Sequence, residues 1–128
     1  MRMLVVPLAL AFFLIAGGRL LMAQGSEDLF RQGQGVFTEN CAPCHRANGQ
    51  GLPGAFPALD NNPFVVGDPG PVIATVLNGR KGKLGRMPAW KEKLSDQEIA
   101  GALTYIRRAW TNQAPAVTPA MVTPLRGK

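Results

Sequence analysis

The residues with the most chemistry in this chain stand side by side: Cys41-Ala42-Pro43-Cys44-His45. These are the only two cysteines and the only histidine in 128 residues. Two thiols separated by two residues can add to the two vinyl groups of one haem, and a histidine directly after them falls beneath the iron, so C-x-x-C-H encodes attachment and ligation together. Two rival chemistries use the same residues. Cys-x-Pro-Cys is also a thioredoxin-type dithiol arrangement, but that reading needs a strand before the motif and a βαβ pattern around it. Here the motif follows a helical pattern and precedes a Pro/Gly-rich stretch. A structural zinc site would take Cys41, Cys44 and His45 but wants four ligands, usually from two separated pairs, and no second pair exists. Haem is the expectation.

A second axial ligand follows by elimination. With one histidine, bis-histidine ligation is excluded. Of five methionines, Met1, Met3 and Met22 lie in the apolar N-terminal segment and Met121 near the C-terminus, which leaves Met87. Methionine commonly fills gaps in cores, but Met87 sits before Pro88 on a stretch between helical patterns, where no apolar face is being built. His/Met ligation is the arrangement that raises the potential and fills both axial positions for electron transfer.

Three helices must position these residues. The first is expected from Ser26 as N-cap, with Glu27 and Asp28 suited to the dipole and Leu29, Phe30, Gly33 and Phe37 on one face, leading directly into Cys41. Asn48–Pro71 holds five glycines and five prolines in 24 residues and is read as an irregular loop needing a surface to wrap. The second helix has Asp68 as N-cap, Pro69 at its first position, Val72, Ile73, Val76 and Leu77 as its apolar stripe and Gly79 as its stop. The third opens on the capping box Ser95-Asp96-Gln97-Glu98 and carries Ile99, Ala102, Leu103, Ile106 and Trp110. Residues 113–128 lack periodicity and are read as a disordered tail.

Residues 1–23 read as a targeting segment, with Arg2 followed by the apolar run Leu4–Ala16. Two outcomes stay open: a cleaved signal peptide, or an uncleaved anchor, since Leu4–Ala23 is 20 residues long. Either way the domain is exported, periplasmic or membrane-anchored facing the periplasm. The formal charge is +6; without Arg2 and Arg19, twelve basic residues remain against eight acidic ones, or +4. Six of them (Arg80, Lys81, Lys83, Arg86, Lys91, Lys93) flank Met87 against Glu92 alone, which suits an acidic protein partner better than nucleic acid.

Glu27–Asn112 resembles the monohaem class I cytochromes c. The resemblance rests on Gly33 and Phe37 in the first helix, Cys41-x-x-Cys44-His45, Pro57-Ala58-Leu59, Met87-Pro88, and Leu103, Tyr105 and Ile106 in the last helix. It implies an all-α domain, residues 26–112, of about three to four helices and long Pro/Gly-rich loops around one covalently bound haem c. It also implies that the first and last helices touch at Gly33, and that the Pro57 carbonyl accepts the His45 ring N–H. The segments Gly54–Leu59 and Met87–Trp90 are most similar to bacterial cytochromes serving periplasmic dehydrogenases and haem-copper oxidases. The implied function is monomeric electron transfer, not catalysis, between a periplasmic donor and an acceptor such as a terminal oxidase. One alternative is a dedicated cytochrome subunit of a periplasmic dehydrogenase. A gas-binding or catalytic haem would require a labile or absent Met87 ligand.

Overall fold

The structure, a computed structural model, describes the backbone of residues 9–128 and side chains from residue 18 onward. Three helices of more than two turns frame it: α1 (Ala9–Asn40), α4 (Pro69–Asn78) and α5 (Asp96–Arg108). Three single turns, α2 (Ala42–His45), α3 (Pro63–Val66) and α6 (Pro119–Val122), raise the described helix count above the expected three to four. The only sheet among the described residues is a hairpin of two-residue strands, β1 (Arg80–Lys81) and β2 (Arg86–Met87).

The start of α1 differs from expectation. Ser26 does not cap a helix; it lies inside one, and its Oγ donates to the Ala23 carbonyl at 3.0 Å. A serine that satisfies its hydroxyl on the preceding turn leaves the helix free to run on. Glu27 pairs with Arg31 at 3.8 Å and with Arg108 of α5 at 3.4 Å. The segment read as a leader or anchor begins in residues outside the described range. Within the described residues no helix is long and apolar enough to cross a membrane, and Leu20, Leu21 and Met22 are exposed.

Two of the expected helices form as their punctuation dictates. Asp68 Oδ1 accepts from Gly70 N at 2.9 Å at the head of α4, and Gly79 caps its other end. Ser95 and Glu98 make both bonds of the capping box on α5. Trp110 falls beyond α5, which stops at Arg108, and its Nε1 donates to the Ala47 carbonyl at 3.0 Å, tying the helix end to the loop after the motif.

α1 and α5 cross with nothing between their backbones. A Cβ added to Gly33 would fall on the Gly101 carbonyl, whereas one added to Gly101 would meet Gly33 and the Leu29 carbonyl at 3.3 Å. Sequence reading identified Gly33 and missed Gly101. Around this crossing Phe37, Ile73, Leu77, Ile99 and Leu103 form the core, each at most 1 % exposed.

The C-terminal residues are ordered, a correction to the expected disordered tail. Val117 and Val122 are fully buried. Thr104 Oγ1 donates to the Val117 carbonyl and accepts from its N–H, both at 3.0 Å. Arg107 reaches the carbonyls of Pro115, Val65 and Gly67 at 3.0, 2.7 and 2.9 Å. Around Pro115 and Val117 side chains of α5 satisfy the backbone of the segment, and only the single turn α6 follows, so no long period marks it in the sequence.

The crossing predicts an ordering of damage. Gly33→Ala is expected to destabilise the holoprotein by about 1–3 kcal/mol, as overpacking does, and Gly101→Ala by less. Urea unfolding measures both, and a larger loss at Gly101 would contradict the geometry.

Candidate haem site

The motif is one more turn of helix. Cys41 N donates to the Phe37 carbonyl at 2.9 Å, carrying the winding of α1 past its end, and His45 N closes on the Cys41 carbonyl at 2.9 Å. Positions three and four apart share a helix face, so Cys41 presents its thiol on the side shared with Cys44 and His45. Cys44 is exposed and Cys41 half-buried. Burial, then the neighbouring Cys44 thiol, pushes the Cys41 pKa up to about 11. Dithiol redox chemistry needs the opposite, a thiol lowered toward neutrality. Among the described residues no three His, Cys, Asp or Glu side chains converge as a metal-ion cage.

His45 is 8 % exposed and its Nδ1 donates to the Pro57 carbonyl at 2.9 Å. A carbonyl can only accept, so Nδ1 carries a proton, and in the neutral ring the lone pair is then on Nε2. No hydrogen bond to Nε2 occurs among the described residues. A neutral imidazole held in this way is a ready axial ligand, and the outer bond makes it more basic.

The loop that delivers Pro57 ties itself down. Gly51 N donates to the His45 carbonyl at 2.9 Å, and Leu52 and Phe56 exchange bonds of 2.9 and 2.8 Å. Leu59 N and Asp60 N both reach the Gly49 carbonyl, at 2.7 and 3.1 Å. Asn112 spans the loop's far end, donating to the Leu59 carbonyl at 2.9 Å and accepting from Asn61 N at 2.9 Å. Gly51 has φ +61°, and a Cβ there would overlap the Phe56 carbonyl and stand 2.6 Å from that of Pro57. The approach of the Pro57 carbonyl to the histidine therefore depends on Gly51 having no side chain. Sequence reading missed Gly51: it is one glycine among five in a stretch where glycine had already been counted as a loop signal.

Met87 lies on β2, opposite Arg80. It is half-buried and is not among the hydrophobic side chains packed on the core. Its segment is fastened to the end of α4. Trp90 N and Lys91 N donate to the Val76 and Leu77 carbonyls at 3.0 and 3.2 Å. At Gly79, φ +74°, a Cβ would stand 2.5 Å from the Met87 carbonyl oxygen. The Pro57 loop and the hairpin face each other across a cleft of about 410 Å³ lined from one side by Gln50, Gly54, Phe56 and Pro57 and from the other by Gly82 and Lys83. Two thiols on one helical face, an imidazole with a free Nε2, and a thioether outside the core form a donor set suited to haem c.

Residues 28–106 match the protein family described as cytochrome c oxidase, cbb3-type, subunit III. Cytochrome c-552 of Thermus thermophilus is 34 % identical over 113 residues, which cover 79 % of this chain and 70 % of that protein. The chain belongs to the class I cytochrome c family. It is also similar to the cytochrome c subunit of the quinone alcohol dehydrogenase of Gluconobacter oxydans, 35 % identical over 97 residues, which are 69 % of this chain and 20 % of the relative. Subunit CcoP of the cbb3-type oxidase of Azospirillum brasilense is 37 % identical over 81 residues, 59 % of this chain and 26 % of the relative. The chain thus spans about a fifth to a quarter of the length of these larger relatives. As a cytochrome c with a single attachment motif, it carries one covalently bound haem c.

Gly51→Ala tests how this cytochrome orients its histidine. A left-handed alanine costs about 1–2 kcal/mol, and displacement of the Pro57 carbonyl exposes the His45 ring N–H. Proton NMR should show that N–H exchanging faster than in the parent. An unchanged exchange rate would separate Gly51 from the His45 contact.

Proposed function

We propose that this cytochrome passes single electrons between a periplasmic donor and an acceptor such as a terminal oxidase, with His45 and Met87 as axial ligands and Cys41 and Cys44 as thioether attachments. The hydrogen bond from His45 Nδ1 to the Pro57 carbonyl at 2.9 Å carries the reading, because in the neutral ring it leaves the Nε2 lone pair free for a metal, on the turn that follows Cys41 and carries Cys44. When bound, haem c supplies an iron that cycles between Fe(III) and Fe(II) without bonding to a substrate. The chain supplies rigidity. The α2 turn holds His45, the Gly51 loop fixes its ring, and the bonds of Trp90 and Lys91 to α4 restrain the Met87 segment. Fixed ligands keep reorganisation small, and a thioether ligand raises the potential. A dedicated cytochrome subunit of a periplasmic dehydrogenase would use the same site in the same way.

The partner's chemistry is inferred from charge. Arg80, Lys81, Lys83, Arg86 and Lys93 are exposed, Lys91 is half-buried, and none of the six forms an ion pair among the described residues. Arg80 instead stacks over Phe64 and Lys93 over Trp90, at 5.4 and 5.5 Å from the ring centres. Uncompensated charge beside the Met87 segment favours an acidic partner and steers its approach. The apolar run near the N-terminus fits an export signal or anchor, and the exposure of Leu20, Leu21 and Met22 supports that reading.

Met87→Ala should abolish the far-red methionine–iron absorption band of the oxidised protein, while Met121→Ala keeps it; survival of the band in the Met87 variant would overturn the ligand assignment. Steering has its own readout. The rate of reduction of ferricyanide, an anion, should fall by roughly tenfold or more as ionic strength rises from about 0.01 M to about 0.1 M. Lys81→Glu/Lys83→Glu should flatten that dependence, and a parent rate indifferent to salt would remove the steering claim.

A further inference from the structure

We propose that Arg126, at the end of the chain, is a positioning residue that clamps the methionine-bearing segment onto the domain. The proposal rests on Met87 as the axial ligand. Arg126 Nε pairs with Asp96 Oδ1 at 2.7 Å, Nη2 donates to the Leu94 carbonyl at 2.9 Å, and Nη1 donates to the Lys91 carbonyl. One guanidinium therefore grips three points between Lys91 and Asp96, the stretch that joins the Met87 hairpin to α5. The planar fork of arginine suits this, because its donors diverge to several acceptors at once. Thr123 Oγ1 holds the other carboxylate oxygen of Asp96 at 2.6 Å, so the acceptor is itself fixed. Behind it, fully buried Val122 and the core-packed Leu125 anchor the strap.

The other side of the same stretch is already bonded to α4 through Lys91 N and the Leu77 carbonyl at 3.2 Å. The segment after Met87 is thus held from within by α4 and from without by the strap. Releasing Arg126 removes the outer grip while leaving the α1–α5 crossing and the histidine-bearing turn untouched. The consequence is local: the methionine side loosens before the domain does.

The test uses the haem-loaded full chain with Arg126→Gln and Arg126→Lys. In the Gln variant, amide hydrogen exchange at Trp90 and Lys91 should accelerate by about tenfold or more, with Ile99 at its parent rate, since exchange reports local opening separately from global unfolding. The far-red band should disappear on heating below the temperature at which the helical circular dichroism is lost, and the reduced protein should bind carbon monoxide more readily than the parent. Lysine keeps the charge opposite Asp96 but cannot reach both carbonyls, so it should restore these properties only in part. Equal acceleration at Trp90, Lys91 and Ile99, with band and helix melting together, would reduce Arg126 to a general stability contact and overturn the proposal. A band that survives Met87→Ala is a separate failure. It would remove the ligand assignment, while the exchange result would still decide whether Arg126 holds the segment.

Discussion

α1 and α5 meet backbone to backbone at Gly33 and Gly101, and the placement of everything else follows from that approach. α1 ends in the Cys41–His45 turn, and α5 presents Thr104, Arg107 and, just beyond its end, Asn112 to the remaining chain. If side chains separated the two helices, the motif turn would shift relative to the loops that must close over it. Close packing transmits such shifts instead of absorbing them. The aromatic residues flanking the contact are in register with it: Phe37 lies 5.2 Å from Tyr105 and 5.5 Å from Trp110, ring centre to ring centre.

Much of the chain outside the helices is irregular, and irregular backbone must still place its polar groups. Three buried polar side chains do much of this work. Asn112 serves Asn61, Leu59 and Ile106; Thr104 serves both groups of Val117; Arg107 serves Val65, Gly67 and Pro115. No buried side-chain nitrogen or oxygen among the described residues lacks a partner. Arg107 is 2 % exposed, and desolvation lowers its pKa against the opposing charge of Asp68, yet it forms no ion pair among the described residues. Carbonyl dipoles surround it instead, an arrangement that orders two distant loops without requiring a partner carboxylate to be buried.

What was legible in the sequence divides along the same line. Asp68, Ser95 and Glu98 announce their helices because capping is local chemistry within a few residues. Cys41, Cys44 and His45 are legible as a group because a helical turn fixes their relation, whereas Met87 is singled out by counting alone and its place as a ligand belongs to the proposed function. Gly51, Gly101 and Arg126 were not legible, since each acts on a residue distant in sequence or on a carbonyl, and a carbonyl has no residue identity to read. The C-terminal strap misled for a related reason: Val117 lies on irregular backbone and Val122 on a single helical turn, too short for the pattern that signals burial to show.

The two ends of the donor set are therefore held by different physics. His45 lies on the turn that attaches the cofactor, four residues from Cys41, and its ring is fixed by a carbonyl twelve residues away. Met87 is tied locally to Arg80, its partner across the hairpin. Its segment is fixed by α4, by Gly79 and by the C-terminal strap, contacts that join the Met87 segment to other elements of the fold. Local restraints survive partial opening, whereas contacts between elements are lost when any one of them moves. The basic residues that form no ion pair among the described residues gather on the same hairpin, so on the proposed reading the docking face adjoins the Met87 segment. On that reading, restraint of the segment by its neighbours is what lets a docking face and an axial ligand share one hairpin.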